Sequence, residues 1–351
     1  MSATHNDHIS KVALVGATGT LGSEILSALL AHPSPQYQIT VITRSDSPGL
    51  TSNPRINVKT GSYNDHAFLV SALTGQDVLV ITLGFSICDQ VQPLIIRAAC
   101  EAKVPYILPC EFGSDTSNPR LISAIPVHSS KVDARKLVEE LGTSIDGTRT
   151  SAWIGIINNA WFDWSLAGGW FGIDIKSRKV TLLDGDGDSN GIKTYTSTIH
   201  MSGLTVARLL ALPLAVTGKN PNVTSNDPKL QRTLASFANK MVYVANFQLS
   251  QVGMFQAVQR ATHTTDADWD ISHVPLIQYI RDGSTRLEQG DITGIMNLVY
   301  GNLFVNGVAD AYYPNGSLEE VELDNALLGL GGCEDLDEVT SRVVKKVTAG
   351  G

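Results

Sequence analysis

Apolar runs without polar alternation recur over the first half of the chain, and helically spaced apolar positions fill the gaps between them. The runs at 12–15, 38–44, 55–60, 77–84, 106–109 and 150–157 predict short strands. The unbroken Val12-Ala13-Leu14-Val15 and Val78-Leu79-Val80-Ile81 suit parallel strands covered on both faces. Leu21, Ile25, Leu26, Leu29 and Leu30 mark a first helix. Further helices are predicted at 66–73, at 90–102 with Pro93 in the first turn, and at 127–141 after a polar loop that runs to Pro126. This alternation predicts an α/β fold with a doubly wound, right-handed parallel sheet. Past residue 160 the rhythm loosens. Strands are predicted at 179–183 and 193–198, joined by a polar hairpin turn, and helices at 201–212 and 228–240; 242–347 mixes helical segments and holds no chemical motif.

Glycines turn the first strand–helix pair into a candidate site. Gly16 permits a tight turn after the strand, Gly19 lets the backbone approach a pyrophosphate, and Gly22 lets helix and strand pack closely. The helix N-terminal amides are then aimed at phosphate, which points to a dinucleotide. Arg44 ends the second strand, where an acid would hold the ribose 2′-hydroxyl of NAD and an arginine suits the 2′-phosphate of NADP. Thr43 and Ser45 add hydroxyls, Asp46 weighs the other way, and a solvated loop arginine is the alternative. Residues 82–85, at the end of the fourth strand, fall beside the cofactor in such a sheet. The resulting division is a loose tail at 1–10, an NADP-binding Rossmann domain at 11–160 and a mainly substrate-binding region at 161–351, some of whose segments return to the sheet.

Composition narrows the partners. The chain has 351 residues, net charge −8 and no Lys/Arg cluster, which argues against a nucleic-acid partner. No window approaches the roughly 20 apolar residues of a membrane helix, and residues 1–10 lack the apolar core of a signal peptide. Cys88, Cys100, Cys110 and Cys333 show neither metal-ligand nor disulfide-scaffold spacing, so a cytoplasmic enzyme with reduced thiols and no metal is expected. The aspartates at 184–188 resemble the start of a calcium loop, but Ser189 and Tyr195 replace the glycine and glutamate that such a loop needs, which favours a plain polar turn.

Two further features bear on chemistry. Lys131 sits in the helix predicted at 127–141, with Val127 where a familiar short-chain dehydrogenase carries its tyrosine. It must act without that partner, or is an ordinary exposed helix lysine. Four of the five tryptophans lie between 153 and 170; Trp161 and Trp164 follow a strand end, where they either line a pocket for a flat substrate or pack beneath a loop.

The run Val15-Gly16-Ala17-Thr18-Gly19-Thr20-Leu21-Gly22, then Arg44, Pro109-Cys110-Glu111-Phe112-Gly113 and Lys131, resembles the isoflavone reductase-like and NmrA-like group of atypical short-chain dehydrogenases. The likeness covers residues 11–165 and is diffuse beyond. It implies NADPH-dependent reduction of an aromatic or polyketide-like small molecule, with Lys131 as the main catalytic residue. It also implies that Gly16, Thr18, Gly19, Thr20, Leu21, Gly22, Arg44, Thr82, Gly84, Phe85 and Phe112 touch the cofactor, with Asn159 and Trp161 near the nicotinamide. Cys110 departs from the serine usual in the group, and the stretch 161–170 is richer in tryptophan. Two other functions remain open, a non-catalytic NADP sensor and a non-redox isomerase or dehydratase on the same fold.

Overall fold

A computed structural model describes residues 7–45, 48–184, 191–214, 232–317 and 319–349. Strands β1 (Lys11–Val15), β2 (Gln38–Thr43), β3 (Ile56–Thr60), β4 (Val78–Ile81), β5 (Tyr106–Leu108) and β6 (Ala152–Ile157) alternate with helices α1 (Thr20–Ala31), α2 (His66–Leu73), α3 (Phe85–Glu101), α4 (Pro119–Ala124) and α5 (Ser129–Leu141). β4 and β6 are buried at every position, as expected of inner strands with helices on both faces. The chain runs outward from β1 through β2 to β3, then returns to the other side of β1 for β4, β5 and β6, with every pairing parallel. The strand order therefore reverses between β1 and β4, and a crevice opens at the carboxyl ends there.

The region beyond β6 adds β7 (Ala160–Trp161), α6 (Phe162–Ala167), β8 (Ile173–Asp174), β9 (Lys179–Asp184), β10 (Thr194–Ser197) and α7 (Ile199–Leu210). These are followed by β11 (Lys240–Tyr243), β12 (Phe247–Leu249), α8 (Gln251–Thr262), β13 (Asp270–Pro275), α9 (Leu276–Glu288), α10 (Gly294–Asn302) and α11 (Leu336–Ala349). β11 pairs in parallel with β6 and makes the sheet seven-stranded. α7 lies against α1, where the Tyr37 hydroxyl donates to the Ala207 carbonyl at 2.9 Å. Two apolar clusters cover the sheet; a third, including Phe162, Phe171, Met254 and Phe304, forms a core among the later elements.

Four expectations are corrected. α3 begins at Phe85, directly after Gly84, so Pro93 lies inside the helix rather than in its first turn; Ser86 and Asp89 had masked the start with the polarity of a loop. Within the polar loop running to Pro126, α4 forms because Asn118 accepts the Arg120 amide at 3.0 Å and Pro119 occupies the first turn. The strands at 179–184 and 194–197 do not form a hairpin: β9 lies between β8 and β13, whereas β10 lies between β7 and β12. Polarity between two strands marks a turn but cannot choose their partners. The helix at 228–240 is described only from 232, where a 3₁₀ turn, Leu234–Phe237, leads into β11; Met241-Val242-Tyr243 has the β-branched and aromatic make-up of a strand.

The calcium-like stretch 185–190 lies outside the described residues. Among the described residues no cluster of three or more His, Cys, Asp or Glu could hold a metal, and no helix is long and apolar enough to cross a membrane.

Candidate active site

The crevice is built by the turn between β1 and α1. Gly16 has φ +85°, a backbone region that strains side-chain-bearing residues, and an added Cβ at Gly22 would stand 2.0 Å from the Gly16 carbonyl oxygen. The Gly19 amide donates to that same oxygen at 2.9 Å, closing the turn. α1 then starts beside the crevice with Gly19 as its cap and no side-chain cap bond, which leaves its first amides without a side-chain partner. Thr82 braces the far side: its hydroxyl donates to the Val15 carbonyl at 2.8 Å.

A cavity of about 220 Å³ at this point is lined by Gly16, Thr18, Gly19, Arg44, Thr82 and Gly84, among others. Six positions assigned to the cofactor from the sequence therefore meet in one cleft, together with Thr43 and Ser45. Gly22 and Leu21 are buried beneath it, Thr20 is exposed at the start of α1, and Phe85 opens α3 with 53% of its surface exposed. Phe112 is buried in the cluster that contains Ala17 and Leu21. Tyr63, in the 61–65 turn whose sequence place suits the adenine side of the cofactor, also lines the cleft, with its ring centroid 5.8 Å from the Arg44 guanidinium carbon and its hydroxyl donating to the Ile42 carbonyl at 3.2 Å. Its only sequence signal is its place in the turn after β3.

The residues fit a 2′-phosphorylated dinucleotide. Glycines leave room for a pyrophosphate where a Cβ would fill the turn, uncapped amides supply donors, and an exposed guanidinium stands at the end of β2.

Next along the carboxyl edge of the sheet, Lys131 projects from the first turn of α5 and donates from Nζ to the Glu111 main-chain carbonyl at 2.5 Å. The Glu111 carboxylate is fully buried, ion-paired with Arg135, and accepts from the Thr116 hydroxyl at 2.7 Å. Arg135 was not singled out in the sequence and Glu111 was noted only within the 109–113 run; the signal for the pair was the four-residue spacing of Lys131 and Arg135 on one helix face. Val127 occupies a 3₁₀ turn before α5. His128 beside it is held down to about 3, first by burial and then by the Lys131 charge. Cys110 makes the bonds that a serine could make: its thiol donates to the Ile81 carbonyl at 3.1 Å and accepts the Leu83 amide at 3.2 Å, tying β5 to β4. Burial pushes that thiol well up.

Asn159 is buried, with φ +52°. Its amide group is engaged by Ser114, Thr194 and the Ala309 carbonyl, at 2.9, 3.2 and 2.9 Å. It fastens the end of β6 to the later region. Trp161 meets Trp164 edge to face at 6.3 Å; Trp164 stacks on Trp170 at 6.2 Å, and Trp170 on Tyr300 at 6.3 Å. Trp161 packs on the cluster containing Leu21 and Phe112, whereas Trp170 packs on the later core. Trp164, 38% exposed, bridges them. Trp153 stands apart, beneath Arg135.

Comparison with known proteins follows the same outline. Residues 8–161 match the model of the NmrA-like family. The chain is 25% identical over 337 residues to oxidoreductase aprR of Aspergillus flavus, covering 95% of this chain and 99% of that one. It is 27% identical over 243 residues to phenylcoumaran benzylic ether reductase PT1 of Pinus taeda, covering 64% and 76%. Its fold is similar to that of an isoflavone reductase, with TM-score 0.68 and 18% identity over 95% of this chain and 99% of that one. It is equally similar to leucoanthocyanidin reductase of Vitis vinifera, with TM-score 0.69 and 15% identity over the same shares. Residues 8–161, which carry the glycine turn, Arg44 and Lys131, are thus similar to the NmrA-like family, and the relatives that match include reductases of the phenylcoumaran benzylic ether and isoflavone type.

Proposed function

We propose that the protein is an NADPH-dependent oxidoreductase that reduces an aromatic small molecule. The carrying observation is that one carboxyl edge of the sheet presents a glycine cradle, a guanidinium suited to a 2′-phosphate and, beyond them, the Lys131 ammonium. Relatives named as an oxidoreductase and a benzylic ether reductase support this reading. When bound, the cofactor supplies hydride. The Gly16–Gly22 turn and the α1 amides hold its pyrophosphate, and Arg44 pairs with its 2′-phosphate. Held by one N–H at the Glu111 carbonyl, Lys131 keeps its other Nζ protons for the nicotinamide ribose and the substrate oxygen, where it would stabilise developing negative charge and deliver a proton. Trp161 and Trp164 supply a flat apolar wall for the substrate ring.

The test is oxidation of NADPH and NADH by the purified protein against a panel of aromatic ketones, enones and benzylic ethers. NADPH oxidation that depends on an aromatic compound supports the reading. Tight NADPH binding with no oxidation across the panel overturns it in favour of a cofactor-responsive binding protein.

A further inference from the structure

α5 sends two cations to one residue. Lys131 and Arg135, one turn apart, both reach Glu111, the first at its main-chain carbonyl and the second at its carboxylate. We propose that Arg135, through its pair with Glu111, is the positioning residue that fixes where the Lys131 ammonium stands. This rests on the role of Lys131 proposed above.

Arg135 is itself held on every side. Its guanidinium bonds Glu111, donates to the Thr116 hydroxyl at 2.5 Å and to the Thr116 carbonyl at 3.2 Å, and lies 5.3 Å from the centroid of the Trp153 ring. Trp153 is pinned in turn, its indole N–H donating to Glu139 at 2.7 Å. With one carboxylate oxygen on Arg135 and the other on Thr116, and its amide donated to the Pro109 carbonyl at 2.7 Å, Glu111 cannot rotate. Its carbonyl is therefore a fixed anchor for Nζ. Stability alone gives a poor reason for this pair, because well-packed apolar residues replace buried ion pairs at little or no cost. Geometric definition of a neighbour is what a clamped ion pair adds and an apolar pair lacks.

Removing Arg135 alone strands a buried carboxylate, so the deciding variant is the double substitution Glu111→Gln with Arg135→Met, which removes both charges together. The first measurement needs no substrate: acylation of Lys131 by acetic anhydride, read by mass spectrometry. The double variant is expected to acylate at Lys131 about threefold faster or more, while NADPH affinity stays within about threefold. The second measurement is turnover, where kcat should fall about tenfold or more with KM nearly unchanged, and Arg135→Lys, which keeps the charge but loses the fork, should fall between. Unchanged Lys131 acylation in the double variant, or losses that track its melting temperature alone, would overturn the proposal. Full turnover in Lys131→Ala would overturn the role of Lys131 instead and leave the acylation result standing.

Discussion

Gly16 lies so close to Thr82 that a Cβ on it would meet the Thr82 carbonyl oxygen at 2.2 Å. Alanine there also carries the strain of a positive φ, for a combined cost of about 3 kcal/mol, or a displaced turn. Gly16→Ala is expected to lose NADPH binding by about tenfold or more, since either outcome moves the amides off the pyrophosphate. Cofactor titration together with thermal melting checks it, and wild-type values in both would refute the cradle.

Arg44 is exposed beside Tyr63, with its guanidinium free to reach a phosphate at the mouth of the cleft. Arg44→Ala should weaken NADPH binding by about tenfold, the worth of one charge-assisted contact, and leave NADH binding unchanged. Parallel titrations of the two cofactors decide it; equal losses for both would mean that Arg44 supports the fold rather than the phosphate.

Lys131→Ala removes a half-buried side chain without stranding a charge, because its partner is a neutral carbonyl. The variant should fold, bind NADPH within about tenfold, and lose turnover by about 100-fold or more. Single-turnover NADPH oxidation measures this directly.

Exposure separates the members of the aromatic series. Trp164, partly open to solvent, is expected to cost only about 1 kcal/mol on change to alanine and to raise KM for the aromatic substrate. Trp170, stacked on Tyr300 and packed on the later core, should cost about 3 kcal/mol. Urea unfolding of both variants, set beside substrate kinetics, shows whether Trp164 serves binding or packing.

His128 makes stability depend on acidity in a defined window. Its folded-state value of about 3 lies below the ordinary 6.5, so between those limits the unfolded chain takes up a proton that the folded chain refuses. Stability from this group is intact above 6.5 and falls as pH drops toward 3, by at most about 1.4 kcal/mol per pH unit. His128→Gln should flatten the urea midpoint against pH over that range, and an unchanged slope would show that other groups govern it.

The sheet was legible in the sequence because β1, β4 and β6 are buried on both faces and carry no polar alternation to confuse the reading. The glycine turn was legible because each glycine answers a local demand of backbone geometry. β11 was not, since a three-residue apolar core carries no record of which strand it will join, and the chain passes through α7 before returning. Arg135 was hidden for a related reason: a helix arginine reads as solvated until the fold brings Glu111 beneath it. Asn159 shows the reverse. Its place just past β6 follows from the strand pattern, but what it touches does not: its partners Thr194 and Ala309 come from segments whose approach local patterning does not encode.

The late arrival of β11 bears on how the protein is made. On the ribosome β6 emerges with an apolar, unpaired outer edge, and its partner follows only when residues 240–243 have been synthesised. Until then the nascent sheet exposes the kind of edge on which other chains assemble. The span that carries the family signature, cut after residue 161, is for the same reason a poor unit to express: it holds the dinucleotide cradle and Lys131 but ends with that edge bare.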